Sequence, residues 1–184
     1  MANVADQLVS TLEKAGVKRI YAVTGDSLNE VNEAVRKNGN IQWIHVRHEE
    51  TGAYAAGAEA QLNGQLACCA GSSGPGHVHL INGLYDAQRS GAPVLAIAST
   101  IPAQQFGMEY FQETNTIKLF DDCSYYNQVA TTSHQLPRML QSAIQSSLSK
   151  KGVSVVGLPG DLTEEGAEDV YSSTKNYPMD SSVC

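Results

Sequence analysis

Apolar residues recur at helical spacing through Val4, Leu8, Leu12 and Ala15, and the run stops at Gly16. A short β-prone run follows at 19–24 (RIYAVT). Ser27 and Glu30 then stand at capping-box spacing and predict a helix that ends near Asn38-Gly39. IQWIHV (41–46) reads as a second strand. The next segment is helical but made almost wholly of alanine and glycine. LACCA (66–70) lacks alternation and reads as a buried strand. Pro75 opens a helix with Leu80, Leu84 and Ala87 on one face, closed by Gly91, and PVLAIAS (93–99) is a fourth strand. After an irregular stretch, YYNQVA (125–130) is a fifth. A helix over about 133–148 carries Leu136, Leu140, Ile144 and Leu148, and GVSVVGL (152–158) is a sixth strand.

Strands and helices therefore alternate, and several strands are continuous apolar runs. That pattern predicts an α/β fold: a doubly wound, mostly parallel sheet of about six strands with helices on both faces, Rossmann- or flavodoxin-like. Such sheets bind ligands beyond the carboxyl ends of their strands, so the segments after residues 24, 46, 70 and 99 are the ones to search. Periodicity is lost at 161, which predicts a domain over 1–160 and an acidic linker over 161–184.

Charge sharpens this picture. Twelve Lys and Arg against 19 Asp and Glu leave a net charge of −7, which argues against nucleic-acid or anionic-membrane partners. Six acidic residues lie at or beyond Asp161 with only Lys175 to offset them, so the body of the chain is nearly neutral. Cys68 and Cys69 are adjacent in an apolar run and should point to opposite faces of a strand. With Cys123 and Cys184 they form no CxxC, so neither a disulfide framework nor a zinc site is expected. No segment has the ~18–20 apolar residues of a membrane span, and the N-terminus lacks signal-peptide character. A cytoplasmic protein is the simplest expectation.

Among the post-strand segments, TGDSLNE (24–30) offers Gly25 for an unusual backbone angle and Asp26 beside it; an ordinary βα turn accounts for it equally well. AGSSGPGHVHL (70–80) has Gly74, Pro75 and Gly76 at a helix start, where free N–H groups attract an anion or a polar ring edge. It is neither a P-loop nor GxGxxG. His77 and His79 are two apart and make a poor metal pair on a helix; each reads as a surface or hydrogen-bonded histidine, and no metal ligand is assigned. The loop 100–115 is long and carries Tyr110, Phe111, Gln112 and Glu113, which suit a small polar ligand, although Phe111 could simply pin the loop to the core.

VRHEETGAYAAGAEAQ (46–61) is the most unusual segment. Two glutamates in a first helical turn are favoured by the helix dipole alone, by about 0.3–1 kcal/mol. The dipole does not explain Gly52, Ala53, Ala55, Ala56, Gly57, Ala58 and Ala60. Small residues on every side imply close neighbours on more than one face, hence a central place in an assembly. An enclosed carboxylate there loses solvation, which favours its protonated form and suits it to proton exchange.

Taken together, VTGDSLN, RHEETGAYAAGAEAQL, AGSSGPGHVHLINGLYDA, PVLAIAS, YFQET and GVSVVGLPGDL, in this order and at these distances, resemble the N-terminal pyrimidine-binding domain of thiamine-diphosphate enzymes of the pyruvate oxidase type. Acetolactate synthases and pyruvate decarboxylases are more distant relatives. The likeness covers about residues 3–165. It implies that Glu49, the Glu of the RHE motif, hydrogen-bonds the cofactor's aminopyrimidine and so activates it for attack on pyruvate, whereas Glu50 lacks that role. It implies that Gly25, Asp26, Gly74, Pro75 and Gly76 lie by the cofactor ring, and that His79, Phe111 and Gln112 line the substrate side. Close relatives often carry Asn or Gly where this chain has His77.

The resemblance further implies a longer enzyme, in which other domains hold the diphosphate with Mg²⁺ and, mainly in a middle domain, FAD. The active site would form against the diphosphate-binding domain of a second subunit in a homo-oligomer. The isolated chain would then be inactive, and the whole enzyme cytoplasmic or peripheral at the membrane. The other readings are an acetolactate-synthase-like member of the same superfamily, a free-standing flavodoxin-like nucleotide-binding module, or a pure interaction domain.

Overall fold

A computed structural model describes residues 2–167. Six strands form one sheet in the order β2-β1-β3-β4-β6-β5, every pairing parallel: β1 (Arg19–Ala22), β2 (Gln42–His45), β3 (Ala67–Gly71), β4 (Val94–Thr100), β5 (Tyr126–Val129) and β6 (Val153–Pro159). All six lie where hydrophobic patterning predicts them, with ends shifted by one or two residues. The central strands β3, β4 and β6 are buried throughout, which is why their sequences are continuous apolar runs rather than alternating ones.

Alternate strand residues feed two cores. Ile20, Cys68, Leu95, Ile97 and Val156 pack under α1 (Val4–Lys14), α2 (Asn29–Asn38) and α7 (Leu136–Lys150). Cys69, Val94, Ala96 and Val155 pack under α3 (Glu49–Asn63) and α5 (Ile81–Arg89). Cys68 and Cys69 thus face opposite ways. With Cys123 they are buried and free, and burial pushes the Cys69 thiol up to about 12.

The small-residue helix α3 is explained on two of its sides within the chain. A Cβ on Gly52 would lie 3.1 Å from the Tyr21 carbonyl oxygen of β1, and one on Gly57 would lie 3.3 Å from the Ala87 Cβ of α5. The approach is reciprocal, because a Cβ on Gly83 of α5 would lie 2.6 Å from the Ala53 Cβ and 2.6 Å from the Tyr54 nitrogen.

Four expectations change. Ser27 is not a helix cap: residues Asp26–Leu28 form a 3₁₀ turn ahead of α2, and the Ser27 hydroxyl is used elsewhere, as described below. The Pro75 helix breaks at Leu80 into α4 (Pro75–His79) and α5. The irregular stretch before β5 contains a short helix, α6 (Thr116–Phe120), capped by the Asn115 side chain. Finally, 161–167 fold onto the domain instead of leaving it. Asp161–Glu164 form a 3₁₀ turn with Leu162 buried, the Asp161 carboxylate accepts the Ala103 N–H, and Gly166 bridges Asn3. The remainder of the expected linker, 168–184, lies outside the described residues.

The α3–α5 contact sets a stability prediction. Gly83→Ala gains about 1 kcal/mol of helix propensity, but its methyl meets backbone below 3 Å, and overpacking costs about 1–3 kcal/mol. Overpacking wins at such a distance, so urea unfolding should show a net loss of up to about 2 kcal/mol.

Candidate functional site

The strand order reverses direction between β1 and β3, since β1 leads outward to β2 and β3 leads toward β4. Ligands of such sheets sit in the crevice at that switch point, beyond the carboxyl ends of the strands. Two turns meet there: the one after β1, carrying Gly25, Asp26 and Ser27, and the one after β3, residues 72–76.

These turns are stitched by serines. The Ser27 hydroxyl accepts the Ser73 N–H at 2.9 Å and lies 3.0 Å from the Ser72 hydroxyl. The Ser99 hydroxyl at the end of β4 donates to the Ser27 carbonyl at 2.7 Å and to the Leu158 carbonyl of β6 at 3.0 Å. Gly25 is required for space, not for its dihedrals. Its φ of −167° is ordinary extended backbone, but a Cβ would fall 2.4 Å from the Ser72 hydroxyl oxygen. Gly74 does adopt the left-handed region, at φ +68°. Asp26 and Pro75 are exposed at the rim.

Glu49 comes to the same place from the other side. His48 is the N-cap of α3, its ring accepting the Glu50 N–H at 3.3 Å. Glu49 follows as the first helical residue and is only 8% exposed. One of its oxygens, Oε2, lies 3.0 Å from His79 Nδ1. The other, Oε1, faces Gly76, where an added Cβ would stand 3.3 Å away. Glu50 turns outward and accepts from the Asn82 amide at 3.2 Å. The two neighbouring carboxylates therefore have separate surroundings.

The loop between β4 and α6 closes a third side. Gln112 accepts the Ser73 hydroxyl at 2.8 Å, and a Cβ on Gly74 would lie 3.1 Å from the Gln112 Cα. Glu113 braces the loop by accepting the Gly107 N–H at 2.7 Å. Phe111 does not pin the loop to the core; it is 82% exposed, with its ring 5.3 Å from that of Tyr110. The structure thus brings together Glu49, His79, Gly74, Pro75 and Gly76 around one turn, with Gly25 and Gln112 bonded to or packed on its flanks. Asp26 and Phe111 stay at the periphery.

Sequence reading passed over four residues of this region: His48, Ser72, Ser73 and Thr114. Ser72 and Ser73 stand in the GSSGPG run, where side chains small enough for a tight turn also supply donors. His77 is fully buried beneath them. Its Nδ1–H donates to the Ser99 carbonyl at 2.7 Å, which fixes Nε2 as the acceptor of the Thr114 hydroxyl. The ring thereby fastens the end of the long loop to β4.

Comparison with known proteins identifies the family. The family described as thiamine pyrophosphate enzyme, N-terminal TPP binding domain, matches residues 2–119. A 42.6 kDa uncharacterized protein of Pseudomonas amyloderamosa is 56% identical over 88% of this chain and 41% of its own length. A putative thiamine pyrophosphate-containing protein, YdaP, of Bacillus subtilis is 43% identical over 90% of this chain and 29% of its own. The pyruvate oxidase of Lactiplantibacillus plantarum is 39% identical over 92% of this chain, again 29% of its own. The chain thus spans well under half the length of these relatives.

His77 yields a pH prediction. Burial pushes its imidazole below the ordinary value near 6.5, against the opposing hydrogen bond to Ser99. Folding then favours the neutral ring, so the unfolded chain binds the proton first as pH falls. The His77 contribution is intact above about pH 6.5 and is lost progressively below it. Urea unfolding at pH 8 and pH 5 should show a larger acid loss for the wild type than for His77→Asn. Through its fold, its sequence and the turns that meet at its switch point, the chain belongs to the N-terminal TPP-binding domain family of thiamine pyrophosphate enzymes.

Proposed function

We propose that this domain holds the aminopyrimidine end of thiamine diphosphate in an enzyme of the pyruvate oxidase type, with Glu49 as the carboxylate that hydrogen-bonds the ring. The observation that carries the reading is the Glu49 carboxylate itself, buried, with Oε2 beside His79 and Oε1 toward Gly76. The fit to a flat heteroaromatic ring is supported by the turn it faces. Gly76 has no side chain to cover Oε1, and Gly25 and Gly74 leave bare backbone alongside. When bound, thiamine diphosphate supplies a thiazolium carbon that acts as nucleophile toward a 2-oxo acid and then as electron sink for its decarboxylation.

The chain's own part is to position and to move a proton. Glu49 would exchange a proton with a nitrogen of the bound ring, and His79 holds the carboxylate through Oε2. Gly25, Gly74, Pro75 and Gly76 form the ring's bed, with Asp26 at its rim. His79, Gln112 and Phe111 line the approach for pyruvate, with Gln112 oriented by Ser73. The residues that would bind the diphosphate, Mg²⁺ and FAD belong in this reading to other domains, and the site is completed by the diphosphate-binding domain of a second subunit. Exposed apolar side chains on α3 and the long loop (Tyr54, Leu62, Met108, Phe111) support a homo-oligomeric partner surface.

Pyruvate oxidase is preferred to an acetolactate-synthase-like activity because the pyruvate oxidase relative is 39% identical, whereas acetolactate synthases such as that of rice are 30% identical over 95% of the chain. Both readings start from pyruvate and part at the product: reduction of an electron acceptor supports the first, acetolactate formation the second.

In the assembled enzyme, Glu49→Gln should lower pyruvate turnover by about 10²–10⁴-fold, the range of general acid–base catalysis, and Glu50→Gln by no more than a few-fold. Equal losses from both would reject the assignment. The 184-residue chain with thiamine diphosphate, Mg²⁺ and pyruvate should release no carbon dioxide above background; robust release would overturn the divided-site reading.

A further inference from the structure

The helix spacing of His77 and His79 disfavours them as a metal pair, but the fold gives His79 different company. His48, Glu49 and His79 each present a donor atom, and these three atoms lie within 4.8 Å of one another. His48 comes from the N-cap of α3, Glu49 from its first turn and His79 from the end of α4. The two imidazoles are stacked, with centroids 4.3 Å apart and planes 26° from parallel. Two imidazoles and one carboxylate form a donor set suited to a borderline transition metal, with a further position left for water.

We infer that His48, Glu49 and His79 form a binding site for a divalent transition metal of the zinc class, one that engages the same carboxylate as the cofactor and so excludes it.

The distances suit the ion. Bonds of about 2.0–2.1 Å to a tetrahedral centre place donors about 3.3 Å apart. Glu49 Oε2 and His79 Nδ1 are already 3.0 Å apart with a proton between them. A metal can take that proton's place with little movement of either residue. His48 has to swing inward, and it is free to do so, since its side chain is 48% exposed and its cap bond is a long one at 3.3 Å. A ligating histidine needs a partner on its other ring nitrogen, and the Glu50 carboxylate stands close enough to become one. Its Oε2 lies 3.8 Å from His48 Nδ1, and the Asn82 amide holds its Oε1. As the ring swings in and releases the cap bond, its proton passes from Nε2 to Nδ1 on the Glu50 side, which leaves Nε2 of His48 as the ligand. Binding displaces at least one proton and tightens as pH rises. Mg²⁺ prefers an octahedral shell of oxygens, so it does not compete for this site.

The inhibitory consequence rests on the assignment of Glu49 to the cofactor; metal binding itself does not. The 184-residue chain titrated with Co²⁺ should give ligand-field absorption saturating at one equivalent, without thiolate charge-transfer bands, and one equivalent of Zn²⁺ should abolish it. His48→Gln and His79→Gln, each checked for native circular dichroism, should weaken Co²⁺ binding at least tenfold, and His45→Ala should leave it unchanged. Unaltered binding in both histidine variants, or saturation only at millimolar Co²⁺, overturns the site. In the assembled enzyme, Zn²⁺ should raise the thiamine diphosphate concentration needed for half-activation at least tenfold. If Co²⁺ binds as described but Zn²⁺ leaves that concentration unchanged, the metal site stands and the shared use of Glu49 is rejected.

Discussion

Four parallel strands end at one knot of hydroxyl and backbone hydrogen bonds, and the geometry of the crevice depends on it. Ser27 after β1 accepts from Ser73 after β3, and Ser99 at the end of β4 donates to both Ser27 and Leu158 of β6. Backbone groups at strand ends have left the sheet ladder and need partners when buried. Small hydroxyl side chains supply them without widening the gap between turns. Gly25 belongs to the same constraint, because any side chain there would strike Ser72 and part β1 from β3 at the switch point. His77 extends it, carrying the Ser99 carbonyl's second link across to Thr114 and so to the long loop.

The second constraint is the spacing of α3. A helix built from alanine and glycine contributes little apolar area per residue, so it stabilises by closeness rather than bulk. Gly52 lets it lie against the β1 backbone, and Gly57 with Gly83 lets it lie against α5. Short distances on these two sides hold the first turn of α3 in place, and Glu49 and Glu50 occupy that turn. The stretch that looked deficient in core-forming residues is therefore a positioning device for a carboxylate.

Much of this was legible in the sequence because it rests on local period. The six strands, their parallel arrangement and the opposite facing of Cys68 and Cys69 follow from runs of apolar residues and the lengths between them. What the sequence could not show depends on residues far apart in the chain. Ser27 and Glu30 match a capping box by spacing, yet Ser27 finds a better partner 46 residues away at Ser73. Gly25 suggested a special dihedral, and only the approach of Ser72 reveals that its missing Cβ is what matters. Asp161 looked like the start of an acidic tail, because composition does not register a carboxylate bonded to the Ala103 N–H. His48 carried no signal of its own; it matters through its stack on His79, 31 positions on.

The choice between adjacent glutamates illustrates how a fold separates like residues. Successive positions on an α-helix differ by about 100°, so two neighbours in a first turn cannot share one environment. His48 enters in extended conformation, at φ −153°, and caps by accepting from Glu50's own N–H. The helix phase then separates the pair: Glu49 faces Gly76 and His79, and Glu50 faces Asn82. The dipole of α3 favours negative charge on both, yet only Glu49 is shut away from solvent. The crevice therefore presents one carboxylate, held by an imidazole, while the other faces outward to the Asn82 amide.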